Sequence, residues 1–135
     1  MTDRRDFLKG SAVAATALVL GVSTKVSASE TAAFPGVIYT KDNPGTMAAK
    51  VKSHAPEVNV DGSKVSIKTV HPMTTEHHIV RHTLVLSDGT VVGGVTFKPT
   101  DKAESSFDLP AGYKGKAFAT SFCNLHDFWL TEFSV

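Results

Sequence analysis

A single cysteine, Cys123, stands among the 135 residues. One thiol cannot close an intramolecular disulfide, so no disulfide framework holds this fold together. Charge of one sign is also missing: 14 Lys+Arg against 13 Asp+Glu give a net charge of +1. Without a clustered basic face, a nucleic-acid partner is excluded. The longest apolar run, residues 11–22, falls short of the about 20 residues that cross a bilayer. Methionine occurs only at positions 1, 47 and 73, so none follows Cys123. No internal repeat is present, and no stretch beyond residue 58 has the length and period of a helix.

What is present begins with an address. Arg4-Arg5-Asp6-Phe7-Leu8-Lys9 is a twin-arginine pattern, followed by the alanine-rich run and by Val26-Ser27-Ala28, a small-residue cleavage site. Residues 1–28 therefore read as a signal peptide of the twin-arginine route, with a periplasmic mature chain and no stable membrane insertion after cleavage. An uncleaved anchor or a disordered tail is the alternative. Cleavage removes Arg4, Arg5, Lys9 and Lys25, together with Asp3 and Asp6, which brings the net charge to about −1. Cargo of this route is exported folded, often with a metal already inside. A lone thiol in an oxidising compartment is a liability that metal ligation or burial would remove.

Residues 29–57 read as an N-terminal extension. Asp42-Asn43-Pro44-Gly45 is a turn signal, residues 46–52 have room for one or two helical turns, and Pro56 biases Ala55 to extended geometry, which puts His54 on a loop. Residues 58–135 read as all-β. Asp61-Gly62 joins two short strands as a hairpin, residues 79–86 and 90–97 flank a turn at Ser87-Asp88-Gly89, and residues 104–109, 116–122 and 128–135 complete the set. Gly93-Gly94 predicts a bulge or a close backbone approach. The pattern predicts an immunoglobulin-like antiparallel β-sandwich of about seven strands, with a small barrel as its rival.

The chemistry concentrates in a few residues. Cys123-Asn124-Leu125-His126 sends a thiol and an imidazole from one strand end. His71-Pro72-Met73-Thr74-Thr75-Glu76-His77 brackets a short loop with two more imidazoles, and Pro72 stiffens the backbone beside the first. Together with His54, these five side chains are expected to converge on one metal ion. Imidazole with thiolate selects iron, copper or zinc. Taken singly, His54 would be a solvated loop histidine and Cys123 a buried core thiol; the joint pattern is what raises them. His78 should face away from His77, because side chains alternate along an extended chain. His78 and His82 read as surface or cross-strand residues, Glu76 as a partner orienting a ligand, and Asn124 as a loop stabiliser donating to the Cys123 sulfur. Phe122, Phe128 and Trp129 read as core, and Lys50 and Lys52 as a wet basic face.

His71-Pro72-Met73-Thr74-Thr75-Glu76-His77-His78-Ile79 followed by Cys123-Asn124-Leu125-His126 resembles the superoxide reductase family, the neelaredoxin and desulfoferrodoxin group. The likeness runs from about His54 to Glu132 and takes in Asp88-Gly89 and Phe128-Trp129. It implies a seven-stranded immunoglobulin-like sandwich with one iron per chain. The implied equatorial ligands are His54, His71, His77 and His126, and the implied axial thiolate is Cys123. The position opposite the sulfur stays open, as at reactive rather than structural sites, and the thiolate pushes electron density onto the metal. The additional rubredoxin-like domain of desulfoferrodoxin needs four cysteines and is absent from this sequence. The family usually places Glu-Lys before its loop histidine, where this chain reads Lys52-Ser53-His54. Lys52, or Lys50, is then left to steer superoxide, and no carboxylate matches the family's sixth ligand, although Glu57 is near in sequence. Asp127 stands where glycine is usual, and Arg81 where an aromatic is common.

The resemblance implies one-electron reduction of superoxide to hydrogen peroxide. An external one-electron donor, a small cytochrome or a rubredoxin-like protein, would restore the reduced metal, and a homo-oligomer is compatible with all of this. A blue-copper electron carrier would also use Cys-x-x-His, but the absence of a methionine downstream of His126 counts against it. A redox sensor with the same iron site and slow turnover is the third reading, and the missing Glu-Lys pair is what favours it.

Overall fold

The computed structural model describes Phe34 and residues 36–135; the expected signal segment and its cleavage site lie outside the described residues. Turn chemistry and alternation set the elements. Gly62, at φ +60°, supplies the left-handed corner between β2 (Glu57–Asp61) and β3 (Lys64–Lys68), which pair antiparallel with Val58 opposite Ile67. β6 (Glu104–Asp108) joins the other edge of β3, and these three strands form the smaller sheet. The larger sheet runs β1-β8-β7-β4-β5, built from β1 (Ile38–Tyr39), β4 (Ile79–Leu86), β5 (Val91–Thr96), β7 (Lys116–Cys123) and β8 (Asp127–Ser134).

The chain is thus a two-sheet sandwich, as the strand pattern predicts, with two refinements. Eight strands are formed among the described residues rather than about seven. The additional one, β1, lies parallel to β8, with Ile38 opposite Phe128 and Tyr39 opposite Trp129. Between β1 and β2 come a 3₁₀ stretch over Gly45–Lys50 and a single α-helical turn, α1 (Val51–His54). His54 therefore ends a helical turn rather than lying on a loop. The chain can turn here because Ala55, held extended before Pro56, stops the helix at once.

Alternation on β7 sends Ala117, Ala119, Ser121 and Cys123 inward, against Leu86, Leu84, His82 and Ile79 of β4. Small residues on one strand and large ones on the other fill the inter-sheet space. Val65, Ile67 and Leu109 close the main core from the smaller sheet, and a second cluster holds Ile79, Phe97, Ala103 and Cys123 at the far end. Both readings of Gly93-Gly94 hold. The β4–β5 register slips between Leu84 and Val85, and a Cβ on Gly93 would sit 2.9 Å from the Phe107 ring of the facing sheet. The Arg81 guanidinium lies across Gly94 and donates to the Thr96 hydroxyl at 2.7 Å.

His82 takes the cross-strand alternative of the sequence reading, opposite Ser121 and Val95. It is fully buried rather than at the surface, its Nε2 at 2.9 Å from Thr69 Oγ1 and its Nδ1 at 2.9 Å from Ser105 Oγ. Burial pushes its pKa down to about 4. The unfolded residue takes a proton below about pH 6.5, while the folded one resists until about pH 4. The stability it leaves intact above pH 6.5 is therefore lost as pH falls through that window, by about 2–3 kcal/mol. His82→Gln should accordingly lose less stability than the parent between pH 7 and pH 4.5, as read by urea unfolding at the two pH values. Equal acid sensitivity of the two proteins would contradict this assignment.

Candidate metal centre

Three segments deliver five side chains to one end of the sandwich. His54 comes from the last residue of α1, His71 and His77 from the loop between β3 and β4, and Cys123 and His126 from the β7–β8 turn. One potential ligand atom from each lies within 4.8 Å of all the others. These are the five residues singled out from the sequence, and the fold brings all of them together.

The imidazoles form a closed ring. His54 Nε2 stands 2.9 Å from His126 Nδ1, His126 Nδ1 3.1 Å from His77 Nε2, and His77 Nε2 3.1 Å from His71 Nε2. The circuit closes between His71 and His54, whose ring centroids are 4.5 Å apart, while the His54–His77 centroids lie 5.9 Å apart across it. Neighbouring rings meet edge-on, at 84°, 68°, 86° and 84° around the circuit. Four nitrogens each about 2.1 Å from one centre would stand about 3 Å from their neighbours. The spacing therefore matches a single ion held in the ring. Cys123 is wholly buried beneath it, Sγ at 3.6 Å from His126 Nδ1 and 3.9 Å from His71 Nε2, whereas His71, His77 and His126 reach solvent. The sulfur is on the core side, and the approach from water is on the other.

Tautomers support the same arrangement. His54 Nδ1–H donates to the Lys50 carbonyl at 3.2 Å, and His71 Nδ1–H donates to the Pro72 carbonyl, so both Nε2 lone pairs point inward. Burial, first of all, lowers the pKa of His54 to about 4 and also lowers those of His71 and His126. For His126 the next cause is the positive charge of Lys50. These three imidazoles are therefore neutral at pH 7 and free to ligate.

Local structure explains the aim of each ligand. The Thr74 hydroxyl accepts from the His77 backbone N–H at 3.0 Å and donates to its carbonyl at 3.1 Å, closing a tight turn that returns His77 towards His71. Asn124 does not serve the Cys123 sulfur. Its amide donates to the Glu76 carbonyl at 2.9 Å and its Oδ1 accepts from the His78 N–H at 3.0 Å, pinning the histidine loop to the cysteine turn. Asp127 takes φ +56°, a left-handed corner that asparagine and aspartate tolerate better than other side-chain-bearing residues. Trp129 is buried, as expected of a core residue, but it also works on the site. Its indole N–H donates to the His126 carbonyl at 3.1 Å, and its ring packs on His54 at 5.6 Å and on Tyr39 at 5.3 Å. Phe128, expected in the core, is 48% exposed beside Phe122. His78 stays outside the ring. Glu57 lies on β2 and outside the five-residue cluster, and Lys52 lines an outer groove with Glu57 and Thr131. The sequence did not mark Trp129 as a positioning group; it did mark Asn124 as a loop stabiliser, a role it fills through Glu76 and His78 rather than through the sulfur.

A β-sandwich with four imidazoles and one thiol converging at its end has the donor set of a class of proteins that could hold a metal ion. Comparison narrows the class: a family model described as Desulfoferrodoxin matches residues 46–132, and the chain belongs to that family. A superoxide reductase of Pyrococcus abyssi is 32% identical over 100 residues, which is 62% of this chain and 87% of that protein. One from Thermococcus kodakarensis is 31% identical over 103 residues, 64% of this chain and 90% of the relative. Among solved structures, the superoxide reductase (neelaredoxin) of Ignicoccus hospitalis superposes with a TM-score of 0.63 at 25% identity, covering 76% of this chain and 96% of its own. A twin-arginine translocation signal matches residues 1–21.

Proposed function

We propose that this chain is a superoxide reductase of the periplasm, exported by the twin-arginine route. It would hold one iron per chain through His54, His71, His77, His126 and Cys123. The observation that carries the reading is the circuit of four imidazoles, three of its neighbouring nitrogen pairs at 2.9–3.1 Å, with a buried thiol beneath it, in a chain whose relatives are named for this activity. An iron held by these five residues would supply the one electron that, with two protons, takes superoxide to hydrogen peroxide. The chain's own part is to orient and to exclude. The Lys50 and Pro72 carbonyls fix two rings, Asn124 and Trp129 fix the loops, and the buried Cys123 face keeps water from the sulfur. An external one-electron donor, a small cytochrome or a rubredoxin-like protein, would restore the reduced state.

Steering of the anion falls to Lys50 first and Lys52 second. Lys50 acts electrostatically on His126, whereas Lys52 is exposed and lines the groove with Glu57 and Thr131. Lys50→Ala should lower the second-order rate with superoxide by about threefold to tenfold and flatten its dependence on ionic strength; Lys52→Ala should change both less. The function itself is tested by elemental analysis of the exported protein joined to rapid mixing with superoxide. About one iron per chain and fast oxidation by superoxide are expected. One copper per chain, or iron that superoxide oxidises sluggishly, would overturn the assignment.

A further inference from the structure

The inner face of the larger sheet is a ladder of rungs between β4 and β7. Leu86 faces Ala117, Leu84 faces Ala119, His82 faces Ser121 and Ile79 faces Cys123. Three rungs are apolar or carry the thiol. The remaining one, His82–Ser121, is polar, and its members are 0% exposed. It separates the main core from the cluster that contains Cys123.

Thr69 joins the two sides of this rung. Its hydroxyl lies 2.9 Å from His82 Nε2 and 2.9 Å from Ser121 Oγ, and its own carbonyl accepts from the His71 N–H at 2.9 Å. Ser105, on β6 of the smaller sheet, meets His82 Nδ1 at 2.9 Å. A buried polar cluster is costly unless all its groups are paired, and a single missing partner costs about 1–3 kcal/mol. An aliphatic rung would avoid that cost.

The location of its members gives the cluster a purpose. Thr69 is two residues before His71, Ser121 is two residues before Cys123, and His82 lies on β4, the strand that follows His77 directly. Each of the three chain segments that bring these ligands to the centre is thus tied to the other two a few residues before or after its ligand. Ser105 lies on a strand that brings none. We propose that the Thr69–His82–Ser121 cluster is a positioning frame for the metal centre, setting where the Cys123 sulfur stands relative to the imidazole nitrogens of His71 and His77. The inference rests on the five-ligand reading above and adds to it which other residues hold those ligands in register. The sulfur stands further off, 3.6 and 3.9 Å from two ring nitrogens against 2.9–3.1 Å between neighbouring nitrogens, which leaves its position to be set by the frame.

The test uses the iron-loaded full chain and reads the thiolate-to-iron absorption, the reduction potential and iron loss to a chelator, with thermal melting as the measure of fold stability. Thr69→Val, close in shape but without the hydroxyl, should lower iron affinity by about 10–100-fold, the loss typical of groups that orient metal ligands, and should move the absorption band. Ser121→Ala should act in the same direction and more weakly, and it decides the matter if Thr69→Val does not fold. Thr69→Ser, which keeps the hydroxyl, should restore the band. Ser105→Ala should lower the melting temperature but leave the band in place and the affinity within about twofold. Loss of melting temperature with an unmoved band and unchanged affinity in both Thr69→Val and Ser121→Ala would overturn the proposal, as would equal effects on the site from Ser105→Ala and Ser121→Ala. Failure of the five-ligand reading looks different: the unsubstituted protein would then show no thiolate-to-iron band, or Cys123→Ser would keep one.

Discussion

Cys123→Ser should abolish the thiolate-to-iron absorption and reduce the rate with superoxide by more than about 100-fold, while the sandwich still folds. Serine is nearly the same size, so the buried site at the end of β7 is not emptied and the packing against Ile79, Phe97 and Ala103 survives. The chemistry does not survive. A hydroxyl stays protonated where a thiol becomes an anion, and the thiolate is the species that ligates and donates charge to the metal. Even partners one shell further out cost about 10–100-fold when removed, so a direct ligand must cost more. Thermal melting of the variant alongside its absorption spectrum separates loss of ligand from loss of fold. A variant that melts like the parent and keeps the band would rule out Cys123 as the sulfur ligand.

The second large effect is a contrast between adjacent histidines. His77 Nε2 lies 3.1 Å from both His71 Nε2 and His126 Nδ1, so His77→Ala opens the ring and should cost more than about 100-fold in iron affinity. His78 lies outside the five-residue cluster; its backbone N–H binds Asn124 and its buried Nδ1 has no hydrogen-bond partner in the protein. His78→Ala should therefore keep iron affinity and spectrum within about twofold. Competition with a chelator for iron measures both. Iron loss on His78→Ala with retention on His77→Ala would reverse the ligand assignment.

The fold was legible because strands announce themselves by alternation and turns by glycine. Asp61-Gly62 and Ser87-Asp88-Gly89 lie where the chain reverses, and residues 79–86 become β4 without a shift. The five site residues were legible because chemistry fixes their types and two motifs fix their spacing. What escaped was tertiary. A histidine in a strand carries no mark of whether its face is wet, so His82 read as surface or cross-strand, and the buried Thr69 and Ser105 hydroxyls on its two ring nitrogens were not legible. β1 escaped as a parallel partner because two residues have no period to read. Pro56 correctly marked an end to helix, but the helical turn ran to His54, two positions beyond the expected 46–52, and that turn is what aims His54. Phe128 looked like core from its type alone; its register opposite Phe122 places it on the outer face of the sheet.

X-ray absorption at the iron edge of the reduced, exported protein tests the central claim most directly. The account predicts one sulfur neighbour at about 2.3–2.4 Å together with about four imidazole nitrogens near about 2.1 Å. A first shell without sulfur, or one with clearly fewer than four imidazoles, would contradict it.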